Sequence, residues 1–280
     1  MEPMLITSRR NPRVRAAAAL LDAKERKKTG LFLLEGARLC ADAAENGVAV
    51  ETLLLTPRAA EGYAPYYETV RAAAKETFFV DESVAEKLSD TAASQHFFCV
   101  CRKREAPLAI DPAGFYLITD RVQNPDNLGA LSRSAEAFGA AGLIVCGGCD
   151  IYSPKALRAS MGALLRFPVF RAADAAEVAE TLTGRGMRVF AALLSDTAKD
   201  VRAVSFPGGG ALVIGNEGVG VSDATAASCT DHVIIPMAGK AESLNAAAAG
   251  AVLLWELWGK RLAMNDERLT INDERLTIQN

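Results

Sequence analysis

FYLITDRVQNPDNLGALSRSAEAF, residues 115–138, decides how the second half of this chain folds. Phe115–Thr119 is an unbroken apolar and β-rich run, the pattern of a strand buried on both faces. The polar stretch from Asp120 to Asn127 ends it. Leu128, Leu131, Ala135 and Phe138 then recur at spacings of three and four, which predicts a helix near 127–138 with that stripe turned inward. Asp126 or Asn127 is placed to cap it. Arg133 falls away from the stripe, as do Ser132 and Glu136, so an exposed helix arginine is the plain reading for Arg133.

The same alternation continues downstream. Apolar strands are expected at Leu143–Cys146, Arg188–Leu194, Ala211–Ile214 and His232–Ile235, with helices near 153–165, 174–183 and 244–258. Strands alternating with helices predict an α/β fold, a mainly parallel sheet with helices on both faces. Ligands of such sheets bind beyond the carboxyl ends of the strands. Upstream, a helix from Pro12 to about Lys28, strands at Leu31–Leu34, Val50–Leu55, Thr77–Val80 and Phe97–Cys101, and helices near 37–46, 65–75 and 83–88 predict a smaller α/β domain over 1–104. Residues 105–113, with two prolines, read as a linker and 114–262 as the second domain. At the end, Asn265–Ile271 is repeated identically at 272–278; two copies with few apolar positions cannot sustain a coiled coil, so 263–280 is expected to be a disordered polar tail.

A chain of 280 residues suits two domains. No apolar run is long enough to span a bilayer and the first residues lack the apolar stretch of a secretory signal, so a cytoplasmic protein without membrane attachment is expected. The six cysteines occur singly or as Cys99-Val-Cys101 and Cys146-Gly-Gly-Cys149, and with only His96 and His232 to help they do not make a zinc site; no metal is expected. Net charge is −3, which by itself points away from nucleic acid. The distribution points the other way. Residues 1–38 hold nine basic side chains against four acidic ones, among them Arg9, Arg10, Arg13, Arg15, Lys27 and Lys28. That cluster is either a solvated helix face or a footprint for phosphates.

Two further blocks follow strands. Gly215-Asn216-Glu217-Gly218 lacks the G-x-G-x-x-G order of a dinucleotide fold and the Lys-Ser/Thr of a phosphate loop, so its glycines suit tight turns and close approach to a flat ligand. Glu217 inside it is a solvated turn carboxylate or a fixed acceptor for Arg133 or a ligand. After strand His232–Ile235 comes Pro236-Met237, a loop, and Ser243-Leu244-Asn245. Ser243 is expected to cap the following helix; capping alone accounts less well for Asn245.

Taken together, Asn127…Arg133, Gly215-Asn216-Glu217-Gly218 and Ile235-Pro236-Met237…Ser243-Leu244-Asn245 resemble, in order and spacing, the three signature motifs of the SpoU/TrmH family of RNA ribose 2′-O-methyltransferases, within the SPOUT superfamily. The resemblance covers about residues 114–260. Residues 4–101 resemble, more weakly, the ribosomal-protein-L30e-like substrate-binding domain that precedes it in relatives. One departure is Ala247, where many relatives carry a hydroxyl residue. The resemblance implies a C-terminal trefoil-knotted domain, a homodimer, and transfer of a methyl group from S-adenosylmethionine to a ribose 2′-OH of RNA. It implies a cofactor pocket around Leu193, Leu194, Gly215, Asn216, Gly218, Ile235, Met237 and Leu244, and a catalytic set of Arg133, Asn127, Glu217, Ser243 and Asn245. Ribosomal RNA (23S) is the expected substrate, through the added N-terminal domain. The alternatives are a tRNA methyltransferase and a non-catalytic RNA-binding protein of the same fold. An oxidoreductase is disfavoured by the missing G-x-G-x-x-G.

Overall fold

The computed structural model describes residues 3–104, 106–195, 197–206, 209–257 and 259–260. The duplicated tail lies outside them. The described residues form two compact units, those within Met1–Glu105 and Asp150–Arg166 and those within Ala106–Cys149 and Phe167–Asn280.

The first unit is built on a mixed five-stranded sheet of β1 (Met4–Ile6), β2 (Leu31–Glu35), β3 (Val50–Leu55), β4 (Glu76–Val80) and β5 (Phe97–Arg102), in the order β1-β4-β3-β5-β2. β5 runs antiparallel to both neighbours. Leu33, Leu54, Phe98 and Val100 form one side of a core closed by Val14, Val84 and Leu88 from the helices. The single helix expected from Pro12 to Lys28 is two, Pro12–Ala19 and Ala23–Thr29. Asp22 breaks it, because its side chain accepts from the Lys24 amide and starts a second helix.

The second unit is a seven-stranded sheet of β6 (Phe115–Asp120), β7 (Gly142–Cys146), β8 (Val169–Ala172), β9 (Arg188–Ala192), β10 (Lys199–Asp200), β11 (Gly210–Ile214) and β12 (Asp231–Ile234). Its order is β10-β12-β9-β11-β6-β7-β8, and every pairing is parallel. Tyr116, Ile118, Val189, Ala191, Ala211 and Val213 face a core with Val178, Ala179 and Leu182 of helix Ala175–Gly184. Helix Pro125–Ala137 packs on β6 and β7, and Gly250 of the helical residues 246–257 leaves no room for a Cβ against Leu131. The α/β fold with a mainly parallel sheet is therefore as expected. The short strands β1, β8 and β10 were not legible: all three lie at sheet edges with two to four residues, and β1 exposes two of its three.

One segment departs from a second domain running unbroken over 114–262. Asp150–Arg166 belongs to the first unit. The Tyr152 ring lies 4.6 Å from that of Phe32, its hydroxyl bonds to the Arg104 main chain, and Asp150 accepts from Arg26 at 2.8 Å. The expected helix 153–165 is two short ones, Pro154–Ala159 and Ala163–Arg166, separated by Met161 and Gly162 in left-handed conformations.

Candidate active site

The three sequence blocks meet at the carboxyl ends of neighbouring strands. β12, β9, β11 and β6 lie side by side. Leu193 and Leu194 follow β9, Gly215 follows β11 and Ile235 follows β12, so these candidate residues share one rim of the sheet. The Leu193 amide donates to the Val233 carbonyl at 3.2 Å, which keeps that register past the end of β9.

Glu217 is the joint between the first two blocks. One carboxylate oxygen accepts from the Gln123 amide at 3.0 Å; the other accepts from the Asn124 amide at 3.0 Å and from Asn127 Nδ2 at 2.9 Å. Burial raises its pKa, but these hydrogen bonds to the charged form outweigh it, and the carboxyl is held below the ordinary glutamate value. Glu217 thus serves the 123–127 turn and does not bond to Arg133. Asn216 braces the other side of the loop: its Nδ2 donates to the Arg121 carbonyl at 2.9 Å, and its Oδ1 accepts from the amides of Gly218 and Val219. Gly215 is fixed by sterics, since an added Cβ would lie 2.1 Å from the Gly220 carbonyl carbon.

Asn245 carries the third block to the first. Its Nδ2 donates to Asn127 Oδ1 at 2.9 Å, while its Oδ1 accepts from the amides of Ala247 and Ala248. Asn245, not Ser243, is therefore the cap of the last helix. Ser243 sits two residues outside it, exposed. The cap of helix Pro125–Ala137 is likewise Asn124, through its bond from the Asp126 amide, leaving Asn127 inside the first turn and 6% exposed. Asn127 is satisfied on both ends of its amide, by Glu217 and by Asn245.

Arg133 lies four residues before the end of the same helix, exposed, with no hydrogen bond or ion pair among the described residues. The fold thus brings Asn127, Glu217 and Asn245 into one network, with Asn216 bracing the loop that carries Glu217, and does not tie Arg133 or Ser243 to it. Leu194 and Leu244 are 59% and 42% exposed, and Met237 is half-buried. Exposed apolar side chains beside the loop that follows β12 fit a ligand with flat apolar faces, which is what an adenosine offers.

Asp120, at the end of β6, escaped the sequence reading. It is 3% exposed; its Oδ2 accepts from the Ser222 amide and its Oδ1 from Arg121 Nε, both at 2.9 Å. Burial raises its pKa, but the bonds from Ser222 and Arg121 prevail and hold it low. A carboxylate at the end of an apolar strand was the available signal. Asp120 also bears on Cys146, whose thiol is pushed up to about 12 by burial and by the charges of Asp120 and Asp174. Cys146 is thus a protonated, small core side chain.

On the first unit, the basic residues divide. Arg9 pairs with Glu86, Arg13 pairs with Glu76 and lies over the Phe78 ring, and Lys28 reaches Glu25. Arg10, Arg15 and Lys27 are exposed without such partners among the described residues. No group of three or more His, Cys, Asp or Glu able to hold a metal, and no helix long and apolar enough to cross a membrane, occurs among the described residues.

The SpoU rRNA Methylase family model matches residues 114–255, and the MRM3-like substrate binding domain matches 11–99. The 23S rRNA (guanosine(2553)-2′-O)-methyltransferase RlmP of Bacillus subtilis is 31% identical over 91% of this chain and 99% of its own length. The 23S rRNA (uridine(2479)-2′-O)-methyltransferase of Streptomyces viridochromogenes is 34% identical over 92% of this chain and 93% of its own. The structure of the SpoU methyltransferase AviRb from Streptomyces viridochromogenes in complex with AdoMet superposes with a TM-score of 0.80 at 30% identity, over 90% of this chain and 99% of that one.

Proposed function

The chain belongs to the SpoU rRNA Methylase family, and from that premise we propose that it transfers the methyl group of S-adenosylmethionine to a ribose 2′-hydroxyl of 23S ribosomal RNA. The observation that carries this reading is the bonded chain Glu217–Asn127–Asn245, which holds three distant sequence blocks at one rim of a parallel sheet. Ribosomal RNA is favoured over tRNA because two relatives that align along nearly their whole length are named for 23S rRNA.

In this reading Leu193, Leu194, Gly215, Asn216, Gly218, Ile235, Met237 and Leu244 frame the cofactor. When bound, the cofactor supplies an electrophilic methyl group on a sulfonium. The 2′-hydroxyl is a weak nucleophile, so alignment and proton removal are what the protein must add. A guanidinium carries only donors, so Arg133 is not given the task of accepting that proton. Its guanidinium instead holds the phosphate next to the target ribose and orients the hydroxyl. Glu217, anchored by three donors and acidified, is a poor proton acceptor and acts by fixing Asn127; Ser243 and Asn245 complete the ribose side. Arg9, Arg10, Arg13, Arg15, Lys27 and Lys28 contact the RNA backbone: the paired ones exchange surface carboxylates, worth about 1 kcal/mol or less each, for phosphates. The domain division is 1–104 for substrate binding and 114–262 for methyl transfer, with Asp150–Arg166 packed on the former.

The reading extends to a cytoplasmic enzyme with a trefoil knot that works as a homodimer. Residues 246–257 bury Leu253, Leu254 and Leu257 but leave Val252 44% and Trp255 57% exposed, an apolar face that a second copy would cover. Mapping 2′-O-methyl groups in total RNA from cells with and without the gene tests the function. Loss of one site in 23S rRNA is expected; loss confined to tRNA, or no loss, refutes it.

A further inference from the structure

Asp120 lies at the carboxyl end of β6 and is 3% exposed, yet no step of methyl transfer touches it. Both of its oxygens are in use. Oδ2 accepts from the Ser222 amide and Oδ1 from Arg121 Nε, each at 2.9 Å. A buried carboxylate is costly to desolvate, and a hydroxyl could satisfy the Ser222 amide alone. Donors facing both oxygens call for a carboxylate, because an asparagine would turn a second donor toward Arg121.

The two donors lead to opposite ends of one loop. Ser222 closes the loop that begins at Gly215, and it caps helix Asp223–Ser228. Arg121 reaches the other end, where its carbonyl accepts from Asn216 Nδ2 at 2.9 Å. That carbonyl is aimed by a left-handed backbone, φ 56° at a residue other than glycine, which persists only where its surroundings hold it. The Arg121 amide is held by the Cys146 carbonyl at 2.8 Å, and its side chain by Asp120.

Between these ends the loop is a closed turn. Asn216 and Gly220 exchange backbone hydrogen bonds at 2.8 and 3.0 Å, and Asn216 Oδ1 takes the amides of Gly218 and Val219. Such a turn shifts as a body, so its outer bonds set where Asn216, Glu217 and Gly218 stand. Glu217 supplies one set of those bonds, from the loop to the 123–127 turn. Asp120 supplies the other, directly at Ser222 and through Arg121 at Asn216. We infer that Asp120 is a positioning residue for methyl transfer: it fixes both ends of the loop against β6, and so places Asn216 and Gly218 on the cofactor side and Glu217 with Asn127 on the ribose side. This rests on the proposed function, in which those residues frame cofactor and ribose.

The test compares Asp120→Ala and Asp120→Asn with Leu182→Ala, all in the full chain. Leu182 is buried where helix Ala175–Gly184 meets the start of β9, at the opposite end of the sheet, so its truncation costs stability without touching the loop. Well below the melting temperature, Asp120→Ala should speed hydrogen exchange of residues 216–222 in the cofactor-free protein and weaken S-adenosylmethionine binding in calorimetry, each about tenfold. Single-turnover methylation of an unmethylated 23S rRNA transcript at saturating cofactor should slow about tenfold as well. Asp120→Asn keeps the Ser222 bond and should lose about threefold in each. Leu182→Ala should match wild type in all three. Asn216→Ala should weaken cofactor binding about tenfold alone but about threefold or less on top of Asp120→Ala, since the loop is then already released. Asp120 variants no worse than Leu182→Ala, or full additivity with Asn216→Ala, overturns the inference. If Asp120→Ala does not fold, Asp120→Asn and its combination with Asn216→Ala carry the same comparison. A wild-type chain that binds no S-adenosylmethionine fails the proposed function itself; normal wild-type binding and methylation with unaltered Asp120 variants fails this inference alone.

Discussion

Arg133 contributes nothing to the fold that its neighbours use, which makes it the cleanest residue to change. Arg133→Lys keeps the charge but loses the planar fork. Methylation should fall about a hundredfold, the scale of losing one positioned charge-stabilising donor, with stability within about 0.5 kcal/mol of wild type. Single-turnover methylation beside thermal melting checks this, and a full methylation rate would remove Arg133 from the site. Asn245 and Ser243 make the converse pair. Asn245→Ala loses the helix cap and leaves buried Asn127 Oδ1 unbonded, so a loss of about 2 kcal/mol is expected. Ser243→Ala touches no bond in the fold and should melt normally while methylating more slowly. A shared drop in melting temperature would contradict the assignment of the cap. The two serve to separate positioning through the fold from contact with the ligand.

At the scale of elements, the strands that carry the candidate site were legible because parallel strands buried in a sheet read as plain apolar runs: β6 and β11 extend by one residue, β12 is shifted back by one, and β9 ends two residues before the expected Leu194. Helix ends were less legible. Asn124, Asp126 and Asn127 all suit a cap, and Pro125 at the first helical position was the local clue that selects Asn124. Nothing local selects Asn245 over Ser243, since its partner lies 118 residues away. The same holds for Asp150–Arg166, whose attachment runs through Arg26 and Phe32. Arg26 belongs to the basic stretch by sequence, yet it is 3% exposed and bonds Asp150 and the carbonyls of Leu20 and Leu21. Arg26→Met should destabilise the protein by about 2 kcal/mol, below the cost of breaking a fully buried pair because Asp150 keeps some solvent. Urea unfolding measures it; an unchanged midpoint would show the pair to be incidental. Removing residues 1–104 is a poor dissection for the same reason, because it strips Tyr152 and Asp150 of their partners.

For the molecule as a whole, the three blocks were each ambiguous and became a candidate site only through their common order, and the structure brings them together because β12, β9, β11 and β6 are neighbours though far apart in sequence. The network itself was not legible, because Glu217 bonds to backbone amides that no motif records. The apolar face of Val252 and Trp255 predicts a dimer in sedimentation equilibrium and a monomer for Trp255→Glu; a monomeric wild-type protein would refute that part. The central claim is methyl transfer to ribose, and its most direct measurement uses the purified protein, S-adenosylmethionine and an unmethylated 23S rRNA transcript, with the products digested and the modified nucleoside identified by mass spectrometry. The account predicts one 2′-O-methylated nucleoside, absent when Arg133 is replaced; a methyl group on a base, or no methylated nucleoside at all, would contradict it.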